Sequence, residues 1–179
     1  MKGKVAVVIP VYKSSIDKYE EVSLKRCFRI LNAHPVFFVK PVGLHLTEYL
    51  PFLEGKSFFE KSFDSDFFFD IRGYNRLMLS PVFYKEFLDY EYILIYQLDA
   101  IVFKDELLYW CNKGYDYIGA PWLDPYSLKE TIQSFFHYRL NKKQQDNGAP
   151  TKIQVYNRVG NGGFSLRRVS KFYKICLKE

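Results

Sequence analysis

The order of apolar and polar residues divides the chain into short apolar runs that alternate with amphipathic segments. The main apolar runs cover residues 5–12, 36–44, 92–97 and 115–122. Runs of this length, bounded by turn residues, predict strands that are buried on both faces. The segments between them carry apolar residues at helical spacing, as at Leu24, Cys27 and Leu31. The alternation predicts an α/β fold with a mainly parallel sheet and helices on both faces.

Capping residues mark the starts of two predicted helices. Ser14, with Asp17 three positions further on, predicts the start of the first helix. Ser80 followed by Pro81 predicts a later helix start, because serine accepts bonds from the first N–H groups and proline suits the first helical position.

Composition limits the protein to a few classes. A chain of 179 residues that is 48% apolar is long enough for one substantial core, so we expect a single domain over residues 1–179. The formal charge of +6 suits an anionic ligand such as a nucleotide, although a mildly basic surface is the simpler explanation. Nucleic-acid binding is not predicted, because no recognisable motif accompanies the charge.

No residue pattern indicates a closed metal site, a signal peptide or a membrane span. The three cysteines are far apart in apolar or helical contexts and predict buried, reduced thiols, and the three histidines lack ligand spacing. The first apolar run is too short for a signal peptide, and no stretch is long enough to span a bilayer. We therefore expect a cytoplasmic protein.

Residues 123–151 differ in character from the rest. A helical pattern is followed by the polar, turn-rich sequence NKKQQDNGAP. Such a segment beside a parallel sheet predicts a mobile insertion that acts as a lid or acceptor loop.

Candidate binding residues follow three of the predicted strands. Pro10–Lys13, Lys40 and Asp99 lie at carboxyl ends of strands, where ligands bind in parallel α/β sheets. Gln97 and Asp99 are two apart, so on a strand they share one face. A carboxylate buried there needs a charge partner or a cation, and oxygen ligands suit Mg²⁺ or Mn²⁺ bound to a diphosphate. From this pair alone, a structural role for Asp99 as a turn cap or arginine partner is an equally good interpretation.

Further residues are candidates for ligand contacts, each with a structural alternative. They are Tyr74, Asn75, Arg76, Trp122, Asn161, Gly162 and Gly163. Tyr74, Asn75 and Arg76 lie at the start of a predicted helix, where they can reach a phosphate or a base, or simply be solvated. The tryptophan can stack on a sugar ring or cover the core. The asparagine can bind a sugar hydroxyl, and the two glycines allow close approach of a ligand or a tight turn before an edge strand.

Five segments carry a family resemblance: VAVVIPVYK, YNRLMLS, YILIYQLDAIVF, YDYIGAPW and VGNGGFSLRR. In this order and spacing they resemble a bacterial and fungal family of glycosyltransferase-like domains, itself similar to the GT-A glycosyltransferases. The resemblance covers nearly the whole chain. It implies a single Rossmann-like GT-A domain that transfers a sugar from a nucleotide-diphosphate donor to a glycan or other hydroxyl acceptor, with Mn²⁺ or Mg²⁺.

The resemblance also implies roles for individual residues. GT-A enzymes hold the nucleotide at the end of the first strand, which points to Pro10, Val11 and Tyr12. Their Asp-any-Asp metal motif corresponds to the segment in which Gln97 replaces the first acid and Asp99 keeps the second. The Gly-rich segment is expected to border the donor sugar and the acceptor.

The chain departs from the GT-A pattern in two ways. Lys40 stands where an acid often holds the nucleoside. The sequence also ends at Glu179, before the downstream acidic motif that commonly supplies the catalytic base, which leaves Asp124 as the candidate base. A truncated sequence and a shortened gene product are both open. The alternative function is a catalytically inactive GT-A-like module that binds a nucleotide or a glycan. Oligomeric state is not predicted.

Overall fold

A computed structural model describes residues 3–53, 55–122, 139, 142 and 158–178. The strands in this part of the chain are β1 (Gly3–Pro10), β2 (Val36–Pro41), β3 (Phe59–Phe63), β4 (Tyr90–Tyr96), β5 (Tyr117–Pro121) and β6 (Val159–Arg168). The helices are α1 (Lys18–Ile30), α2 (Ile71–Met78), α3 (Pro81–Lys85), α4 (Leu107–Asn112) and α5 (Val169–Cys176). Within these ranges no helix is long and apolar enough to cross a membrane.

The strands form one mixed sheet in the order β3-β2-β1-β4-β6-β5. Pairing is parallel between β3 and β2, between β2 and β1, and between β1 and β4, whereas β4 pairs with β6 antiparallel. The predicted α/β class is confirmed, but the prediction of a mainly parallel sheet is wrong at β6. An apolar run has the same pattern whichever way the strand is read, so the sequence does not give its direction.

Contacts divide the chain into two compact units. The first comprises Met1–Ile118 and Gly163–Glu179, and the second comprises Gly119–Gly162. In the second unit, the Trp122 N–H donates to the carbonyl of Arg158 at 3.0 Å. The predicted insertion at 123–151 lies in the range of the second unit and, apart from positions 139 and 142, outside the described residues.

Apolar side chains of β1 point alternately to two core clusters, one on each face of the sheet. Val5, Val7 and Ile9 belong to the cluster covered by α1 and α4, and Ala6 and Val8 to the cluster covered by α2, α3 and α5. Helices therefore lie on both faces of the sheet, as predicted.

All three cysteines are buried thiols, which confirms the prediction. Burial raises the pKa of Cys27 to about 12 and is the main reason that the pKa of Cys111 rises to about 11. Both thiols are therefore uncharged at neutral pH and serve as packing residues.

The predicted caps are right at one helix and wrong at another. The Ser80 hydroxyl caps α3, as expected. Helix α1 begins after Asp17, whose carboxylate accepts bonds from the N–H groups of Tyr19 and Glu20 at 2.8 and 3.0 Å. The Glu20 carboxylate in turn accepts from the Asp17 N–H at 2.9 Å, which completes a capping box. Ser14 lies too early, because a charged cap at Asp17 interacts better with the positive end of the helix.

Helix α2 starts very close to the backbone of the 3₁₀ turn Ser65–Phe67. A Cβ atom on Gly73 would lie 2.6 Å from the Asp66 carbonyl oxygen and 3.1 Å from backbone atoms of Phe67. The Asp70 carboxylate accepts a bond from the Gly73 N–H at 2.7 Å. Glycine at this position therefore allows the close approach that fixes the start of α2.

We expect Gly73→Ala to lower the free energy of unfolding by about 1–3 kcal/mol, because the added methyl group overlaps a backbone carbonyl. The sign of this change in the free energy of unfolding is informative, because alanine in a helix is otherwise about 1 kcal/mol more favourable than glycine. Urea unfolding measures the change. Arg72→Ala, at an exposed position of the same helix, is the control and should stay within about 0.5 kcal/mol of the wild type. A stabilised Gly73→Ala variant would show that the turn moves aside easily.

Candidate functional site

A cleft of about 450 Å³ opens at the carboxyl ends of β1 and β4, within the first unit. The residues that follow these two strands form part of its lining. Parallel strands that pair side by side end at the same edge of the sheet, so the segments after them lie close together. The cleft is therefore the place where the predicted strand-end residues meet.

The segment after β1 contributes Pro10, Val11, Tyr12 and Lys13 to the cleft. The Val11 N–H donates to the carbonyl of Val39 at 2.8 Å and Val11 is buried, whereas Tyr12 is 64% exposed. The backbone of this segment is thus fixed by the sheet. Its aromatic side chain is free to contact a ligand.

Tyr49 and Glu20 hold the next residues of this segment in place. The Tyr49 hydroxyl donates to the carbonyl oxygens of Lys13 and Ser15, each at 3.2 Å, and burial raises the pKa of Tyr49. The Lys13 ammonium lies 2.9 Å from the Glu20 carboxylate, and this hydrogen bond raises the pKa of Lys13. Tyr49 and Glu20 both line the cleft, although the sequence did not single them out.

Strand β4 ends before the predicted metal motif. It stops at Tyr96, and a turn over Gln97–Ala100 is closed by a bond from the Ala100 N–H to the Gln97 carbonyl at 3.0 Å. Gln97 and Asp99 therefore do not share a strand face, and that prediction is wrong. Both nevertheless line the cleft, with Gln97 half-buried and Asp99 exposed.

The exposure of Asp99 removes one argument for a bound cation, namely that a buried carboxylate needs a charge partner. A solvated carboxylate has no burial penalty to offset, so its position does not by itself require a cation or an ion pair. What the structure shows instead is an exposed carboxylate at a ligand-sized cleft. Asp99 is available to a bound molecule without any rearrangement of the core.

The chain after Asp99 is bound to helix α1. The Ser23 hydroxyl donates to the Ala100 carbonyl, and the Arg26 Nε donates to the Val102 carbonyl at 2.9 Å. The buried Tyr96 hydroxyl accepts from the Val102 N–H at 3.3 Å. These bonds hold the turn that carries Asp99 against the first helix.

The opposite wall of the cleft comes from the segment before α2 and from α2 itself. Phe68, Phe69, Asp70, Ile71 and Tyr74 line it. Phe69 and Ile71 are 81% and 76% exposed, which leaves a solvent-facing apolar surface at the cleft. The sequence did not single out the segment before α2. It follows β3, so the strand-end rule applied to β3 is the signal that could have found it.

Tyr74 is the residue of the 74–76 group that reaches the cleft. Its hydroxyl is buried, and among the residues that the structure describes it has no hydrogen-bond partner. Burial is the main cause of the raised pKa of Tyr74, and Asp99 raises it further, whereas Gln97 and Arg167 lower it. Of these groups, Gln97 and Asp99 line the cleft together with Tyr74.

Asn75, Arg76 and Lys40 are not among the cleft residues. Asn75 is exposed on α2, and the Arg76 guanidinium lies 3.4 Å from the Asp66 carbonyl. Lys40 is buried in β2, where its ammonium donates to the Leu44 carbonyl at 2.6 Å and lies 3.2 Å from Glu60. Local partners therefore already bind the charge of Lys40.

The Gly-rich segment is part of strand β6, so the prediction of a turn there is wrong. Antiparallel pairing with β4 holds it extended, and the Gly163 carbonyl accepts a bond from the Gln97 N–H at 2.8 Å. Asn161 and Gly162 belong to the second unit, as does the half-exposed Trp122. The side chain of Asn161 and all of Asp124 lie outside the described residues.

The cleft offers few oxygen ligands to a metal. Within the described ranges no group of three or more His, Cys, Asp or Glu residues could hold a metal ion. The carboxylates of Glu20 and Asp70 already accept backbone N–H bonds, so Asp99 and the amide oxygen of Gln97 are the best available donors. This donor set fits a cation that takes most of its ligands from phosphate and water, as Mg²⁺ commonly does.

Comparison with known proteins places the chain in a family. A family model described as "Protein of unknown function (DUF5672)" matches residues 58–179. The chain belongs to the DUF5672 family. No curated protein matches this DUF5672 chain at a significant level.

A solved structure shares the fold of the DUF5672 chain. The crystal structure of core-mannan synthase A from Aspergillus fumigatus, in its Mn/GDP form, matches with a TM-score of 0.55 and 11% sequence identity. The match covers 96% of this chain and 61% of that one. The expected glycosyltransferase-like fold is thereby confirmed.

We expect Tyr49→Phe to lower the free energy of unfolding by about 1 kcal/mol, because two carbonyl oxygens lose a buried donor. Thermal unfolding measures the change. Tyr19→Phe removes a hydroxyl from a side chain that is 86% exposed, and we expect no change in that control. Equal melting temperatures for Tyr49→Phe and the wild type would show that Tyr49 does not hold the segment after β1.

Proposed function

We propose that this DUF5672 protein binds a nucleoside-diphosphate sugar in the cleft and transfers the sugar to a hydroxyl group of a glycan or another acceptor. The observation that carries the proposal is the exposed carboxylate of Asp99 in a cleft at the ends of β1 and β4. The glycosyltransferase-like fold and the Mn/GDP form of the similar structure support it.

The dimensions and lining of the cleft suit a nucleotide. A volume of about 450 Å³ lies within the usual range for small-molecule sites. The exposed rings of Tyr12 and Phe69 offer flat apolar surfaces to a base. The backbone after β1 is bonded to β2 through the Val11 N–H. Gly163, whose carbonyl accepts the bond from the Gln97 N–H, is proposed to border the sugar.

Asp99, together with the amide oxygen of Gln97, would hold a divalent cation, Mn²⁺ or Mg²⁺. When bound, such a cation neutralises charge on the diphosphate leaving group. The remaining ligands would come from the nucleotide and from water. Asp124 stays the proposed general base.

We expect Asp99→Asn to weaken the binding of GDP or UDP in the presence of Mn²⁺ by about tenfold or more. Loss of a residue that supports a metal-binding side chain already weakens metal binding by about this factor, and loss of the metal-binding carboxylate itself should weaken it at least as much. Isothermal titration calorimetry with and without Mn²⁺ measures the nucleotide affinity. The substitution should reduce the affinity measured with Mn²⁺ and leave the affinity measured without it unchanged. Asp89→Asn is the control, since Asp89 is an exposed acid immediately before the opposite end of β4.

Metal-dependent nucleotide binding that Asp99→Asn leaves intact would exclude the proposed metal site. A wild-type protein that binds neither GDP nor UDP would exclude the proposed function itself. If nucleotide binds but incubation with GDP-sugars and UDP-sugars releases no diphosphate nucleotide, with or without acceptors, the alternative of a non-catalytic binding module is favoured.

A further inference from the structure

The hydroxyl of Tyr74 is a buried polar group in the wall of the cleft. No described residue makes a hydrogen bond of good geometry to it, and a buried hydroxyl without a partner is unfavourable by about 1–3 kcal/mol. The ring of Tyr74 lines the cleft together with Gln97 and Asp99. Since polar groups left in this state are rare in folded proteins, the hydroxyl calls for a functional explanation.

The surroundings of the hydroxyl decide which role suits it. Tyr74, Gln97 and Asp99 line the same cleft. Burial is the main cause of the raised pKa of Tyr74, and Gln97 and Arg167 lower it. Arg167 is itself buried and donates to the Tyr84 hydroxyl at 2.9 Å and to the Ser165 hydroxyl at 3.1 Å. Among the described residues that line the cleft, Gln97 carries an NH₂ group that can donate to the Tyr74 oxygen.

An amide at position 97 has two unlike ends of nearly the same shape. Its oxygen can accept a bond from a ribose hydroxyl or coordinate a cation, whereas its NH₂ group can do neither. A carboxylate has no such ambiguity, because both of its oxygens accept. A glutamine whose amide oxygen contacts a ligand in the cleft therefore needs a neighbour that accepts a hydrogen bond from its NH₂ group.

We propose that Tyr74 is a positioning residue for Gln97: its hydroxyl oxygen accepts a hydrogen bond from the Gln97 NH₂ group, so that the amide oxygen faces the ligand in the cleft. This inference rests on the proposed function, because it takes a nucleoside diphosphate with a divalent cation as the ligand. Tyr74 and Gln97 line the same cleft, and the Tyr74 hydroxyl has no partner among the described residues.

Removal of the hydroxyl and replacement of the amide test the proposal together. We expect Tyr74→Phe to weaken the binding of GDP or UDP with Mn²⁺ about fivefold, the effect of one lost hydrogen bond. The double variant Tyr74→Phe with Gln97→Glu should bind as tightly as Gln97→Glu alone, because a carboxylate requires no orientation. Isothermal titration calorimetry measures all four proteins.

Tyr92→Phe is a matched control. Its hydroxyl is also buried without a partner among the described residues, but Tyr92 does not line the cleft. Removing that hydroxyl should leave nucleotide affinity unchanged. Thermal unfolding of each variant confirms that the protein is folded before affinities are compared.

The outcomes separate this inference from the proposed function. Wild-type protein that fails to bind either nucleotide overturns both. If the wild type binds but Tyr74→Phe binds equally well, only the inference is wrong. If the loss in Tyr74→Phe persists fully in the Gln97→Glu background, Tyr74 acts on the cleft by another route and the positioning role is overturned.

Discussion

Strand β1 is hydrogen-bonded on both sides and buried on both faces, and the rest of the structure depends on this arrangement. Val7 and Val8 pair with β2 on one side and with Leu94 and Ile95 of β4 on the other. A strand in this position has no room for polar side chains, because each would need a partner inside the core. From Val5 onwards in β1, polar side chains are therefore confined to the segment that follows the strand, and parallel pairing with β4 brings the segments after the two strands together.

The same constraint explains why much of the fold could be predicted from the sequence. Strands buried on both faces appear as uninterrupted apolar runs, and β1, β2 and β4 were found in this way. Ser80 and Pro81 gave the start of α3 because their effect is local. The start of α1 was misplaced because two polar residues competed for the cap, and the reciprocal bond between Asp17 and Glu20 decided the outcome.

What could not be predicted depends on contacts between distant parts of the chain. The direction of β6, and hence the extended state of its glycines, follows from pairing with β4. Lys40 looked like a ligand residue because it follows a strand, but its partner Glu60 lies on the neighbouring strand. At α2, the sequence offered Tyr74, Asn75 and Arg76 together as candidates, and only Tyr74 lines the cleft. Which of them does so depends on how the helix packs against the preceding backbone, which Gly73 approaches closely.

At the end of β4, only a few positions separate residues that hold the fold from residues that line the cleft. Tyr96 is fully buried and its hydroxyl is bonded to Ser23 of α1, whereas the side chain of Asp99 is exposed. Substitutions at Asp99 therefore leave the core untouched. In evolutionary terms, the side chain at position 99 can change with little effect on stability, so related chains with the same sheet can differ at this edge of the cleft.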